Sequence, residues 1–195
     1  MNVLVACEES QAVTSAFRAL GANAFSCDIK PCSGGHPEWH YQCDCFDVIA
    51  HPPNGIEWDL LIAHPPCTYI TKAGSCNFYM RDQFESRLAS QREAVDFFMR
   101  LYNLPIKKIC IENPVPMKMA GLPPWTQVIY PELFGSQYTK QTCLWLKGLP
   151  PLLPYFTDSL LDLKSLCAVK RSAAQRSKFP PEVAKAMADQ WIERM

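Results

Sequence analysis

The chain has 195 residues, of which 48% are hydrophobic and 19% charged, and its 19 Lys and Arg balance 19 Asp and Glu for a formal net charge of zero. That profile excludes a disordered polypeptide and leaves enough length for one domain to bury a proper core. It also excludes a global field that would draw the chain to nucleic acid, and no apolar run approaches the roughly 20 residues of a membrane span.

The opening "MNVLVACEES" meets Glu8 and Glu9 too early for a secretory signal, so a single cytoplasmic domain over residues 1–195 with no membrane contact is expected. "NVLVAC" predicts a short buried strand. "SQAVTSAFRAL" sets Val13, Ala16, Phe17 and Leu20 at helical spacing, with Ser10 placed as the N-cap and Gly21 as the stop. "NAFSCDI" predicts a second strand finishing at Asp28. A loop rich in Pro, Gly, His and Cys follows, and then the strand "WDLLIAHPP". "FESRLASQREAVDFFMRLYN" predicts a long helix whose buried stripe is Leu88, Val95, Phe98, Met99 and Tyr102. "IKKICIENP" predicts a strand cut off by Pro114. The pattern weakens through "PPWTQVIYPELFG", recovers in "QTCLWL", and is broken by the Pro-rich "GLPPLLPYF". "PPEVAKAMADQWIERM" closes the chain with a helix that starts at proline and turns Val183, Met187 and Trp191 inward. Strands alternating with helices and no internal repeat predict an α/β fold, a mostly parallel sheet with flanking helices.

In such sheets ligands bind beyond the carboxyl ends of the strands. Glu8, Asp28, Cys67, Glu112 and Asn113 all fall at predicted ends, where they either cap loops or do chemistry. Most of the ten cysteines, such as Cys110 and Cys143, sit in apolar runs and read as reduced, packed thiols. The loop containing Cys27, Cys32, His36, His40, Cys43 and Cys45 has ligand types for zinc but no Cys-x-x-Cys knuckle, so no metal is expected. "KRSAAQRSK", with Lys170, Arg171, Arg176 and Lys178, is either solvated surface or a local source of phosphate affinity.

"PPC" after a buried strand, followed at the next strand end by "ENP", resembles the two catalytic motifs of DNA cytosine-5 methyltransferases, and the chain is most similar to the small phage-borne members. "SCDI", "CDC", "FGSQYTKQTCLWL" and "FPPEVAKAMADQW" extend the likeness in order over nearly the whole sequence. The resemblance implies a Rossmann-like S-adenosylmethionine-dependent methyltransferase fold acting on DNA. It implies Cys67 as the nucleophile toward carbon 6 of cytosine, Glu112 as the acid at ring nitrogen 3, and Asn113 as their support. Cys7, Glu8, Asp28, Ile29, Asp44 and Pro65 would then bind the cofactor, and Pro66, Lys140 and Thr142 the substrate.

Three departures stand out. "ACEESQA" lacks the family's glycines, Lys140 and Thr142 replace two arginines, and only a few tens of residues occupy the place of a target-recognition domain. These argue against sequence-specific base flipping by this chain alone and leave a partner subunit as one candidate for target recognition. Two alternatives stay open: an accessory protein that binds nucleotide or nucleic acid without turnover, and a pyrimidine-modifying enzyme that uses a free nucleotide or another one-carbon donor. "HPP" also resembles the Asp/Asn-Pro-Pro-Tyr loop of amino-methyltransferases, with His64 and Cys67 in place of the acceptor and the aromatic.

Overall fold

The computed structural model describes residues 1–72, 84–137, 141–155 and 178–192. Among them run β1 (Asn2–Ala6), α1 (Ala12–Ala19), β2 (Asn23–Asp28), β3 (His40–Gln42), α2 (Cys45–Ala50), β4 (Leu60–Ala63), α3 (Phe84–Tyr102), β5 (Lys108–Pro114), β6 (Gln127–Ile129), β7 (Thr142–Lys147) and α4 (Pro181–Trp191).

The seven strands form one sheet in the order β3-β2-β1-β4-β5-β7-β6. β3, β2, β1, β4 and β5 pair in parallel, and β7 runs antiparallel to both of its neighbours. The pleat sends alternate residues of the central strands to opposite faces. Val3, Val5 and Ile62 pack with Val13 and Phe17 of α1 and with Val183, Met187 and Trp191 of α4. Leu4, Ala6 and Ile109 pack on the other face with Val48 of α2 and with Phe98 and Leu101 of α3. Helices on both faces explain why β4 reads as an unbroken apolar run, with all four of its residues buried. Each fully buried aliphatic side chain contributes about 1.5–3 kcal/mol toward this arrangement.

The predicted α/β class, the mostly parallel sheet and the flanking helices are observed, and several local expectations change. Ser10 does not cap α1: its N-cap residue is Gln11, in the left-handed region at φ 56° with no side-chain cap. Glu8 does that work from below. Its carboxylate accepts from the amides of Val13 and Thr14 at 2.7 and 3.2 Å and from the Thr14 hydroxyl at 2.7 Å. A carboxylate offers more acceptor positions than a serine hydroxyl, and the left-handed turn at Cys7, φ 60°, brings it underneath the helix. The Cys- and His-rich loop hides β3 and α2, and the weakly patterned segment hides β6. Of the expected stripe on α3 only Phe98 is fully buried, joined by Gln91 and Leu101. Gln91 reaches in to donate to the Tyr69 carbonyl at 2.9 Å, which holds the helix in that rotation. Glu112 and Asn113 lie within β5 rather than beyond it, because β7 continues to pair with β5 after β4 has ended at Ala63.

Candidate active site

The strand order reverses direction between β1 and β4, the kind of switch point at which open α/β sheets bind ligands beyond the carboxyl ends of their strands. β4 hands over to the "HPPC" turn through the His64 amide, which donates to the Ala6 carbonyl at 3.0 Å. Pro65 is buried and Pro66 exposed, and the two fixed φ angles remove most of the freedom of the chain before Cys67. The Cys67 carbonyl then accepts from the amides of Ile70 and Thr71 at 3.2 and 3.1 Å, closing a tight turn. Reciprocal backbone bonds, Lys72 to Val115 at 3.1 Å and Met117 to Ile70 at 2.7 Å, tie this turn to the segment after β5. The Asn113 side chain, itself buried, donates to the Pro65 carbonyl at 3.0 Å.

The facing wall comes from β5 and β7. Glu112 lies opposite Leu144 and Pro114 opposite Thr142, so Glu112 and Thr142 are diagonal neighbours on one face of the sheet. The Thr142 hydroxyl donates to Oε1 of Glu112. Oε2 of the same carboxylate meets Nδ1 of His64 at 2.9 Å. The His64 ring leans on Phe179 with centroids 4.7 Å apart, and its Nε2 is buried without a hydrogen-bond partner. Burial by itself would lower the proton affinity of His64. The hydrogen bond and charge of Glu112, helped by the charge of Glu8, outweigh it, and the imidazole is raised above its ordinary 6.5. Glu8 is also raised by burial, against the charge of His64 and the donors of Val13 and Thr14. These groups border an open pocket of about 130 Å³, with Cys67, Glu112, Asn113, Thr142, Phe179 and Val183 in its wall.

The residues expected around a cofactor lie along the neighbouring strand ends. Asp28 closes β2 half-buried and accepts from the Lys30 amide at 2.9 Å, while Ile29 beside it is 76% exposed. Asp44 caps α2 by accepting from the Phe46 amide at 2.9 Å. The Cys7 thiol is hydrogen-bonded to Cys45, which together with burial pushes it up. Sγ of Cys27 lies 3.9 Å from Sγ of Cys43, and burial raises Cys27 as well. Glu8, expected at the cofactor, is turned into the protein beneath α1. The loop after β2 folds back onto the β1–α1 turn. Ser33 donates its amide to the Glu9 carbonyl at 2.8 Å, and the Gln11 side chain bonds both the carbonyl and the amide of His36, at 2.8 and 3.1 Å. Among the described residues no group of three or more His, Cys, Asp or Glu side chains is placed to hold a metal ion.

Cys67, Glu112, Asn113, Pro65 and Thr142 are thus brought to one pocket, with Pro66 exposed beside it. Asp28, Asp44, Cys7 and Ile29 lie at the strand ends on the β1, β2 and β3 side. Lys140, Lys170, Arg171 and Arg176 fall outside the described residues, and Lys178 is exposed at the rim of the pocket. In the sequence His64 figures only at the acceptor position of the amino-methyltransferase-like loop, with no part in the cytosine-5 site. Its signal was a lone imidazole ending the otherwise apolar run "LLIAHPP".

No protein-family model matches the chain. No curated protein matches it with significant similarity. Among solved structures it is similar to a candidate DNA modification methyltransferase encoded within a prophage of E. coli, with a TM-score of 0.54 and 14% identity over 81% of this chain and 52% of that one. The chain therefore spans about half the length of that protein. At this distance the likeness shows the fold alone, an α/β Rossmann-like fold. No helix among the described residues is long and apolar enough to cross a membrane.

Proposed function

We propose that this chain is a transferase of one catalytic domain that attacks carbon 6 of a pyrimidine through Cys67 and adds a one-carbon group at carbon 5. Cytosine in DNA is the first substrate to test and S-adenosylmethionine the first donor. The observation that carries the reading is the shared pocket of Cys67 and Glu112, the first on a proline-locked turn and the second on a sheet strand, joined by the bond from Asn113 to Pro65. A thiolate adds to carbon 6, the ring accepts the electron pair, and a carboxyl at ring nitrogen 3 supplies the proton that stabilises it. A thiol with an ordinary value near 8.5 is only a few per cent ionised at neutral pH, so the turn has to favour the anion once substrate is bound.

Asp28 would hold a ribose diol, since it ends a parallel strand half-buried. With Cys7, Ile29, Asp44 and Pro65 it would hold the donor, which supplies an electrophilic methyl group. Glu8 would shape that site through α1 rather than touch the ligand. Pro66, Lys140 and Thr142 would border the base, with Thr142 acting through Glu112. Recognition of a DNA sequence would fall to a partner subunit. A cytoplasmic location follows from a DNA substrate.

Incubation with DNA containing 5-fluorocytosine and S-adenosylmethionine is expected to leave a covalent protein–DNA complex, visible as a mass increase on the peptide containing Cys67. If Cys67→Ser traps as well as the wild type, the mechanism is wrong. A second reading, nucleotide binding without methyl transfer, is favoured by the loop of Ser33 and His36 packed against the β1–α1 turn, which narrows the donor side. Calorimetry with S-adenosylmethionine separates the two, since no heat at millimolar ligand removes the donor.

A further inference from the structure

Cys67, Glu112, Asn113 and Thr142 each have a place in this chemistry, and His64, buried in the same pocket wall, has none. Its position is built rather than incidental: the backbone amide is fixed to β1, the ring is wedged against Phe179, and Nδ1 is aimed at Glu112 at 2.9 Å. Thr142 donates to the other oxygen of the same carboxylate. With Nδ1 protonated, Glu112 rests between two donors, an arrangement that suits a carboxylate and not a carboxylic acid. An acid is nonetheless what nitrogen 3 of a pyrimidine needs as a thiolate adds.

We propose that His64 is the proton store for Glu112, passing its Nδ1 proton to the carboxylate as the carboxylate passes one to nitrogen 3 of the bound base. This rests on the reading of Cys67 as the nucleophile. In the step, the Cys67 thiolate forms a bond to carbon 6, and the electron pair of the 5,6 double bond moves into the ring. Glu112, a carboxylate at the start, takes the Nδ1 proton of the imidazolium and hands it on to nitrogen 3. The products are a neutral enamine adduct, a carboxylate and a neutral imidazole, so protons and charge balance without another reactant. His64 acts through Glu112 and is a positioning residue.

The charged and titratable groups facing it agree with this role. Glu112 of β5 and Glu8 of the β1–α1 turn are both acidic and favour the imidazolium. Cys110 of β5 is buried with its thiol raised well above 9.0, and so stays neutral. Cys67 is the thiol in the pocket wall, and Lys178, ahead of α4, is the cation at its rim, exposed to solvent.

The test needs no methyl donor. Reversible addition at carbon 6 lets carbon 5 exchange its hydrogen with solvent, so release of tritium from mixed-sequence DNA labelled at cytosine carbon 5 reports the step. The wild type is expected to give a bell-shaped pH profile, rising with the thiolate and falling as His64 deprotonates. His64→Gln is expected to lower exchange about tenfold to hundredfold at neutral pH and to move the falling limb to lower pH. An unchanged profile in His64→Gln overturns the proton store and leaves Cys67 in place. Exchange that persists in Cys67→Ser overturns the parent reading. Should His64→Gln fail to fold, imidazole NMR decides: the wild type is expected to titrate above 6.5 and Glu112→Gln to bring it down. A wild-type imidazole titrating at or below 6.5 overturns the proposal.

Discussion

The side-chain amide of Asn113 donates to the carbonyl of Pro65 at 3.0 Å, and both partners are buried. It joins the end of one strand to the turn after its neighbour, 48 residues away, and with the contact of His64 and Glu112 it links the two halves of the pocket. Asn113→Ala leaves a buried carbonyl unsatisfied and is expected to lower stability by about 1–3 kcal/mol in urea unfolding. If the bond also positions Cys67, adduct formation with 5-fluorocytosine DNA slows more than DNA binding weakens. Equal loss in both would limit Asn113 to holding the fold.

Thr142 meets Glu112 through a hydroxyl, so size and polarity can be separated. Thr142→Val keeps the shape and removes the donor, and is expected to slow adduct formation about tenfold, equivalent to one lost hydrogen bond of about 1.4 kcal/mol. Thr142→Ser restores the donor and is expected to recover most of the rate. Single-turnover trapping by both variants checks this.

His64 and Glu8 also make folding depend on pH, and both shifts have the same sign. Each binds its proton more tightly in the folded state, so each contributes stability that is complete below its ordinary value, 6.5 for His64 and 4.5 for Glu8. That contribution is lost as pH rises through the raised folded value. Between pH 6.5 and 8.5 the urea midpoint of the wild type is expected to fall, and His64→Gln to flatten the slope. A wild-type midpoint that rises over this range would show that another group dominates.

The thiols differ in burial and so in reactivity. Cys110 is buried and raised well above 9.0, and burial first, then the charge of Glu112, lifts Cys143 to about 11. Cys32, Cys43 and Cys67 are only half-buried. Iodoacetamide at pH 8 is expected to modify these three first among the described thiols, leaving Cys110 and Cys143 untouched until the protein unfolds. Peptide mapping over a time course reads the order directly.

Gly34 is where the loop after β2 presses on the β1–α1 turn. A Cβ there would stand 2.5 Å from Cβ of Gln11 and 2.5 Å from the Ser10 carbonyl oxygen, and the backbone oxygen cannot step aside. Gly34→Ala is expected to cost about 1–3 kcal/mol and to loosen the loop. Thermal unfolding measures the first effect, and calorimetry with S-adenosylmethionine shows whether the loop helps form a donor site.

What could be read from the sequence followed burial. β1, β4, α1 and α4 carry unbroken or periodic apolar residues because each is covered by the core, and their patterns were plain. β3 and β6 are three-residue strands at the two edges of the sheet, with few buried side chains, so neither left a pattern. Cys67, Glu112 and Asn113 stood out through their motifs. The pairing of His64 and Thr142 with Glu112 did not, since it depends on β7 entering the sheet reversed and on a register that no local window contains. The β1–α1 turn was read as a missing glycine loop. The chain turns there with Cys7 and Gln11 at φ 60° and 56°, and its close backbone approach falls at Gly34.

The three residues by which β5 outlasts β4 make the sheet a ruler with a parity. Glu112 faces Thr142 and His64 while Asn113, one step along, turns to Pro65. Deleting a single residue upstream in β5 would move Asn113 to the place of Glu112, delivering an amide to the pocket, and would bring Pro114, which has no donor, to the Pro65 carbonyl. An even-numbered change would preserve the assignment and merely shift it along the strand. The strand can therefore change length only in steps of two without scrambling the site.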